Sequence, residues 1–183
     1  YLGPMFRLER PQRGRLRQFH QIGAEVLGRT DPFIDAELLL LLQDLWEELG
    51  VAGTFLEVNS IGCVECRPSY RYALVTFLEG RRRALCPDCN RRFESNPLRI
   101  LDCKRESCSE IVTAAPSILS HLCAGCRSHF GTVMELLKDL RPEPVVNQRL
   151  VRGLDYYCRT TFEWKAATGL GSQNTVAAGG RYD

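Results

Sequence analysis

The stretch "DPFIDAELLLLLQDLWEELGVAGTFLEVNSIG", residues 31–62, joins a helical pattern to a strand pattern and decides the fold class. Asp31 is a typical helix N-cap, Pro32 suits the first helical position, and apolar residues recur until Gly50 ends the helix. The alternating stretch "TFLEVNSIG" then predicts a strand that ends at Gly62. The segment therefore predicts an α+β unit.

The composition agrees with a globular protein. The chain has 183 residues, of which 44% are hydrophobic and 25% charged, which fits one domain or a domain with an insert. A net charge of only +2 restricts any nucleic-acid surface to a local patch. The longest apolar stretch, "AELLLLLQDLW", is interrupted by Glu37 and Gln43, which argues against a membrane span. The sequence starts at Tyr1 without a methionine or signal peptide, so we expect an internal piece of a longer soluble protein.

Cysteine spacing is the most distinctive feature after this segment. Eight of the nine cysteines form four close pairs, separated from one another by 19, 13 and 14 residues. The paired residues are Cys63 and Cys66, Cys86 and Cys89, Cys103 and Cys108, and Cys123 and Cys126. Two thiolates in one tight turn bind the same tetrahedral ion, and a second turn provides the other two. The spacing therefore predicts metal sites, with two structural Zn²⁺ ions as the favoured interpretation.

Other interpretations of the cysteines stay open. Redox CxxC pairs normally occur singly at a strand-to-helix junction, and iron–sulfur clusters use several cysteines in one short run. Sequential and interleaved pairing of the four turns are both compatible with the spacing. His121 or His129 could replace a cysteine as a ligand, whereas Cys158 is predicted to be a small buried hydrophobe.

The cysteine-rich part is poor in large apolar residues. One helix is predicted from near Pro68 to Gly80, carrying Tyr72, and another from Ser128 to Leu140. A module of this size with so thin a core normally needs a structural metal. We therefore divide the chain into a first core part, residues 1–62, an inserted zinc-binding module, residues 63–143, and a second core part, residues 144–183.

Positive charge is concentrated in the same module. Residues 67–105 hold ten Lys and Arg against four Asp and Glu. The densest groups are Arg81, Arg82, Arg83, Arg91 and Arg92. This patch is either a solvated face or a contact surface for RNA phosphates, and the sequence does not separate the two.

Three stretches flank or follow these features and carry a family resemblance. "MFRLERPQRGRLRQFHQIGAEVLG", residues 5–28, resembles motif 2 of class II aminoacyl-tRNA synthetases in its histidyl form. "LVRGLDYYCRTTFEW", residues 150–164, resembles the first histidine-specific signature of histidyl-tRNA synthetases, and "AAGGRYD", residues 177–183, the start of the second. The resemblance implies an antiparallel sheet flanked by helices and interrupted by a small helical insertion.

The resemblance assigns roles to residues of motif 2. Arg7 matches the arginine that binds the ATP α-phosphate and the substrate carboxylate, Glu9 matches the acid at the adenine end, and Arg15 lies in the loop over ATP and the tRNA acceptor end. Gln21 and Glu25 match residues of the histidine pocket. A strand over residues 15–29 would place both on one face.

The histidine-specific signatures supply the remaining candidates. Arg152 matches a second catalytic arginine that stabilises charge on the α-phosphate. Tyr156, Tyr157 and Tyr182 match residues of the substrate pocket, although core packing is an equal alternative for Tyr156. The Gly-Gly of "AAGGRYD" would allow a ligand to approach the strand backbone closely.

By resemblance, the function is a histidine–tRNA ligase of the cytoplasm that acts as a homodimer. Histidine, ATP and histidine tRNA would be its substrates, with Mg²⁺ neutralising the leaving pyrophosphate. Motifs 1 and 3 and an anticodon-binding domain are absent from the chain, so we expect it to be inactive alone. Two alternatives are a histidine-sensing regulatory paralogue of ATP phosphoribosyltransferase, which usually degrades motif 2, and a zinc RNA-binding module, which leaves the flanking signatures unexplained.

Overall fold

The computed structural model describes residues 1–8, 16–152, 156–167 and 174–182. The elements of the first part are β1 (Leu2–Phe6), β2 (Gln18–Ile22), α1 (Pro32–Glu48) and β3 (Thr54–Ser60). The cysteine-rich part contains α2 (Cys66–Glu79), α3 (Pro87–Ser95), α4 (Glu106–Thr113) and α5 (Ala124–Leu136). The chain then returns to strands with β4 (Val145–Val146), β5 (Tyr157–Ala166) and β6 (Thr175–Tyr182).

The strands form two sheets. β1 and β2 make an antiparallel ribbon in which Leu2 lies opposite Ile22. The larger sheet has the order β4-β3-β5-β6, with β3 antiparallel to β5, β5 antiparallel to β6, and only β4 parallel to its neighbour. This confirms the predicted α+β class with a mainly antiparallel sheet.

The deciding segment folds as its pattern predicts. Asp31 is the N-cap of α1, Pro32 occupies its first turn, and Gly50 adopts a left-handed φ of 64° that ends the helix. Leu39 of α1 packs with Leu56 of β3 in a buried cluster. The other buried members of this core cluster are Ala36, Val133, Leu137, Leu140 and Trp164.

A second buried cluster lies in the cysteine-rich part. Its apolar side chains come mainly from α2, α3 and the short turns that follow them, and they pack around the buried cysteines. The buried residues of α2 are four apart and therefore on one face: Cys66, Tyr70, Leu74 and Leu78. Tyr72 lies on the other side and is 77% exposed, so it does not contribute to the buried face of the helix.

Helix α5 belongs to both clusters. Cys126 in its first turn packs with the cysteine-rich part, whereas Val133 and Leu137 pack against α1. The helix therefore joins the cysteine-rich part to the sheet, and the exact division at residues 63 and 143 stays a prediction. None of the helices in the described part of the chain combines the length and apolar character that a bilayer crossing requires.

The strand predicted over residues 15–29 is shorter than expected. β2 covers only Gln18–Ile22, and the pairing ends with hydrogen bonds between Tyr1 and Gly23. Residues 23–30 are not part of a strand. This shortening removes the geometric basis for placing Glu25 on the strand.

Candidate functional site

Eight cysteines form two groups of four thiols. The outer cluster is Cys63, Cys66, Cys123 and Cys126, and the inner cluster is Cys86, Cys89, Cys103 and Cys108. Within each group the sulfur atoms all lie within 4.8 Å of one another. The first turn thus pairs with the last and the second with the third. This nested arrangement is neither the sequential nor the interleaved pairing that the spacing left open.

Helix N-termini position these thiols. In the inner cluster, Cys86 is the N-cap of α3 and its Sγ accepts the N–H of Cys89 at 3.4 Å, while Cys108 Sγ accepts the N–H of Cys86 at 3.2 Å. The outer cluster repeats the pattern, because Cys123 is the N-cap of α5 and donates its N–H to Cys66 Sγ at 3.1 Å. Backbone N–H groups at helix N-termini stabilise thiolates, the form that binds metal.

The distances fit a tetrahedral ion of the size of zinc. Cys63 Sγ lies 3.6 Å from Cys66 Sγ and 4.0 Å from Cys123 Sγ, and Cys86 and Cys103 are also 4.0 Å apart. Four thiolates around Zn²⁺ place their sulfurs about 3.8 Å apart. A disulfide needs about 2.05 Å, and all nine cysteines are free. The thiol groups therefore have the donor set and spacing of structural zinc sites.

Thiols of the same cluster differ in pKa because their surroundings differ. The Cys89 N–H outweighs burial and lowers the pKa of Cys86 to about 7. Burial raises the pKa of Cys63, but the N–H groups of Cys66 and Glu65 outweigh it and lower the value to about 7. Burial raises the pKa of Cys126. Backbone N–H groups thus lower the pKa of a thiol in each cluster, and a bound cation would favour the thiolate form further.

Neither candidate histidine belongs to a cluster. His121 Nδ1 is 3.1 Å from Ser69 Oγ, and His129 Nε2 is 3.4 Å from Asp35 Oδ2. The structure therefore supports all-cysteine ligand sets. Cys158, half-buried on β5, lies outside both groups.

Arg7 directly follows β1 and lies against β2. Its guanidinium carbon is 3.6 Å from the centre of the Phe19 ring, and its backbone N–H donates to the Arg17 carbonyl at 2.9 Å. Its Nε is buried and has no hydrogen-bond partner in the described part of the chain. Glu9 and Arg15 lie outside the described residues.

The two pocket candidates of motif 2 are separated by the end of β2. Gln21 on β2 donates from Nε2 to Tyr1 Oη at 3.1 Å. Glu25 lies three residues beyond the strand, so the prediction that strand alternation places it beside Gln21 is wrong. Instead, Glu25 and Tyr182 line a common small cavity. Burial raises the pKa of Tyr182, and the neighbouring Glu25 carboxylate adds to the effect.

The three candidate tyrosines form one aromatic group. The Tyr156 ring centre lies 4.8 Å from that of Tyr157 and 5.7 Å from that of Tyr182, the latter edge to face. Tyr157 is 9% exposed and Tyr156 is 58% exposed. Core packing therefore describes Tyr157 and not Tyr156. Together with Glu25, this group joins hydroxyls and a carboxylate from separate parts of the chain.

The Gly-Gly of β6 accommodates side chains of β5. A Cβ on Gly180 would lie 3.1 Å from the Tyr157 ring and 3.0 Å from the Thr160 carbonyl. A Cβ on Gly179 would lie 2.8 Å from the Phe162 ring. The close approach predicted for a ligand is occupied by these side chains, and Gly180 sets the position of Tyr157.

Arg152 lies on the face of the sheet opposite α1. Its Nη1 donates to Glu163 Oε1 at 2.7 Å, and its Nε is buried without a hydrogen-bond partner among the described residues. Arg7 and Arg152 thus each have a buried Nε without a hydrogen-bond partner among the described residues, as do the Nε1 atoms of Trp46 and Trp164. The sequence did not single out Glu163, although an acid inside an apolar strand pattern is a usable signal.

Arg181 points away from Tyr182, as alternation along β6 requires. Its Nη1 lies 2.9 Å from Asp35 Oδ1, and its Nη2 donates to the Arg29 carbonyl at 3.0 Å. The sequence analysis missed Asp35, whose signal is a charged residue in the first turn of an apolar helix. Arg181 thus fixes the N-terminus of α1 beside the cavity of Glu25.

Most arginines of the basic patch bond within the module. The contacts are Arg81 with the Phe77 ring and carbonyl, Arg82 with Glu94, Arg91 with Asp88, and Arg92 with the Arg99 carbonyl. Arg83 is exposed and bonds to no other described residue. The solvated-face interpretation therefore accounts well for four of the five side chains, and Arg83 is available for a phosphate.

The mainly antiparallel sheet and the separate β1-β2 ribbon, whose sequence resembles motif 2, agree with the class II aminoacyl-tRNA synthetases. Within that class, the family model described as histidyl-tRNA synthetase matches residues 1–183. The chain belongs to the histidyl-tRNA synthetase family.

Relatives support this placement. The chain is 55% identical over 183 residues to the histidine–tRNA ligase of Syntrophotalea carbinolica, covering all of this chain and 43% of that protein. It is 57% identical over 184 residues to the histidine–tRNA ligase of Geobacter metallireducens, and the match covers 100% of this chain and 44% of that protein. It therefore spans less than half the length of these relatives.

Solved structures give the same result. Apo histidyl-tRNA synthetase of S. aureus has a TM-score of 0.73 and 32% identity, with 100% of this chain and 43% of that chain covered. A second match is a protein of Bacillus halodurans described as an ATP phosphoribosyltransferase regulatory subunit/histidyl-tRNA synthetase. It has a TM-score of 0.62 and 20% identity, and the match covers 100% of this chain and 50% of that chain. The second match shows the fold alone.

Proposed function

We propose that the full-length protein is a histidine–tRNA ligase that activates histidine with ATP and transfers it to histidine tRNA. The observation that carries this proposal is the match of the histidyl-tRNA synthetase family model to residues 1–183, which include both candidate arginines, Arg7 and Arg152. The buried Nε atom of each has no hydrogen-bond partner among the described residues, a property that other buried atoms such as Trp46 Nε1 share. Two such donors suit the α-phosphate of ATP, where negative charge increases during attack by the histidine carboxylate. A planar guanidinium binds two oxygens at once, which a lysine does not.

Neither reaction step needs a covalent enzyme nucleophile. The histidine carboxylate attacks the α-phosphate in line, and the acyl group then passes to the terminal ribose of the tRNA. Catalysis is therefore mainly positioning and electrostatic stabilisation. Mg²⁺, when bound, would neutralise the leaving pyrophosphate. Glu9 and Arg15 keep their proposed roles at the adenine and in the loop over ATP.

Histidine selectivity would come from two groups of residues. Glu25 and Tyr182 line the cavity. Gln21, Tyr156 and Tyr157 would complete the pocket. An imidazole and an ammonium group need several hydrogen-bond partners, and a carboxylate, an amide and hydroxyls can provide them. A substrate without these groups would leave the pocket's polar atoms unpaired, which is costly.

We propose Zn²⁺ as the ion of both four-cysteine clusters. Zinc would crosslink α2 to α5 in the outer cluster and α3 to α4 in the inner one. Binding at such sites contributes on the order of 10 kcal/mol to folding. This would stabilise an inserted module over residues 63–143, the division that the sequence predicts.

The remaining parts of the proposal follow from family membership. Histidine tRNA would contact the module through Arg83, the arginine of the patch that bonds to no other residue in the described part of the chain. The homodimer and the cytoplasmic location are carried over from the resemblance, and the isolated chain is expected to be inactive.

The test is histidine-dependent exchange of pyrophosphate into ATP by the full-length protein. A histidine–tRNA ligase gives exchange and charges histidine tRNA. A regulatory paralogue binds histidine without exchange, and a zinc RNA-binding module binds RNA without either. Arg152→Lys should retain the charge but lower exchange strongly, because the bidentate geometry is lost.

A further inference from the structure

A network of charged side chains lies on the sheet face opposite α1, beside Arg152. Glu163 Oε1 accepts the Nη1 of Arg152 at 2.7 Å. Lys165 Nζ lies 2.7 Å from Glu57 Oε2 and 3.5 Å from Glu163 Oε2. Asn147 Nδ2 donates to Glu57 Oε2 at 2.6 Å. The network therefore connects β3, β5 and the segment after β4 to the candidate catalytic arginine.

The strand register explains why Lys165 is needed. Glu57 on β3 and Glu163 on β5 are directly opposite each other. Like charges in such positions repel. Lys165 contacts both carboxylates, and with Arg152 it balances two negative with two positive charges. The side chains of Glu57, Glu163 and Lys165 are only 14 to 17% exposed, so water screens these contacts less than those of a surface ion pair.

Glu163 is held independently of Arg152. Its Oε2 accepts the Thr175 hydroxyl of β6 at 3.2 Å, and Lys165 lies on the same side. The carboxylate is therefore fixed by groups of two strands, and its other oxygen binds the arginine. Arg152 uses Nη1 for this contact, while its buried Nε has no partner in the described part of the chain.

We propose that Glu163 is a positioning residue that orients the Arg152 guanidinium so that its remaining donors face the α-phosphate of ATP. Lys165 balances the paired carboxylates and so supports the orientation. This inference rests on the proposed ligase function. Since a displacement of about 1 Å at a catalytic group can cost about 100-fold in rate, loss of the carboxylate should act on kcat.

The test uses the full-length protein with Glu163→Ala and Glu163→Gln. We expect kcat for histidine-dependent pyrophosphate exchange to fall about 10- to 100-fold in Glu163→Ala, and less in Glu163→Gln, which keeps an acceptor oxygen. The KM for histidine should change less than about threefold, since Glu163 does not bind histidine. Added formate or acetate should restore part of the Glu163→Ala rate by replacing the carboxylate, a rescue that a purely structural role would not give.

The matched control is Glu94→Gln. Glu94 makes the same type of contact with Arg82, at 2.6 Å, but in the cysteine-rich part and with 68% side-chain exposure. Its exchange kinetics should equal those of the wild type. Melting curves of every variant show whether it is folded at the assay temperature.

Three outcomes overturn the inference: unchanged kcat in both Glu163 variants, a rate loss that equals the loss of folded protein, or a change confined to the KM for histidine. If Glu163→Ala does not fold, Glu163→Gln decides by its kcat at an unchanged melting temperature. Absence of exchange in the wild type would instead overturn the proposed function. The two failures are therefore distinguishable.

Discussion

Arg181 and Asp35 form a buried ion pair, with Nη1 and Oδ1 2.9 Å apart and both side chains only 6% exposed. The pair joins β6 to the first turn of α1. His129 of α5 lies 3.4 Å from the other Asp35 oxygen, so three elements meet at one carboxylate. The same strand continues to Tyr182, which lines the cavity with Glu25. The pair thus fixes β6 to α1, and both of its residues line the same cavity.

Asp35→Ala should therefore destabilise the protein by about 3 to 5 kcal/mol, because it leaves a buried guanidinium without its counter-charge. The midpoint of urea unfolding, followed by circular dichroism on the full-length protein, measures the effect. Glu135→Ala is the control, since its pair with Lys138 is exposed and such pairs contribute about 0 to 1 kcal/mol. Equal midpoints for the two variants would contradict the structural role of Asp35.

Removal of one cysteine should affect one metal site. We expect native mass spectrometry under reducing conditions to give two Zn²⁺ per chain for the wild type and one for Cys89→Ser, with the outer cluster intact. Cys158→Ser is the control and should keep two, because Cys158 belongs to neither cluster. Loss of both ions from Cys89→Ser would mean that the clusters do not bind independently, and two retained ions would exclude Cys89 as a ligand.

The variant Gly180→Ala tests the close packing of β6 against Tyr157. In Gly180→Ala the new methyl would lie 3.1 Å from the Tyr157 ring and 3.0 Å from the Thr160 carbonyl, so Tyr157 must move. We expect a destabilisation of about 1 to 3 kcal/mol and a higher KM for histidine. Gly131→Ala on α5 is the control, because its methyl meets nothing within 4 Å, and alanine in a helix should add about 0.5 to 1 kcal/mol of stability. A histidine KM equal to the wild type would separate Tyr157 from substrate binding.

Local sequence signals predicted much of this fold, but not the contacts between distant segments. The caps at Asp31 and Gly50 gave α1 correctly, because capping depends on neighbouring backbone groups. The cysteine spacing gave the thiol turns but not their nested pairing, which depends on α5 returning to the start of α2. Arg181 and Asp35 are separated by 146 positions, so no local pattern relates them.

The candidate site shows the same division. Motif resemblance named Arg7 and Arg152, but their supporting side chains, Phe19 and Glu163, emerged only from the structure. Glu25 was placed wrongly, since β2 ends at Ile22. It meets Tyr182 through tertiary packing and not through strand alternation.

A variant of the exposed Arg83 tests the proposed contact between this side chain and a tRNA phosphate. Arg83→Gln should raise the KM for histidine tRNA and lower the salt dependence of binding by about one counterion, since each phosphate contact releases close to one ion. Histidine-dependent pyrophosphate exchange should not change, because that step does not involve tRNA. Lys138→Gln removes one positive charge from an exposed position in the turn after α5 and is the matched control. If both variants change the KM for tRNA equally, the effect reflects net charge and Arg83 makes no specific phosphate contact.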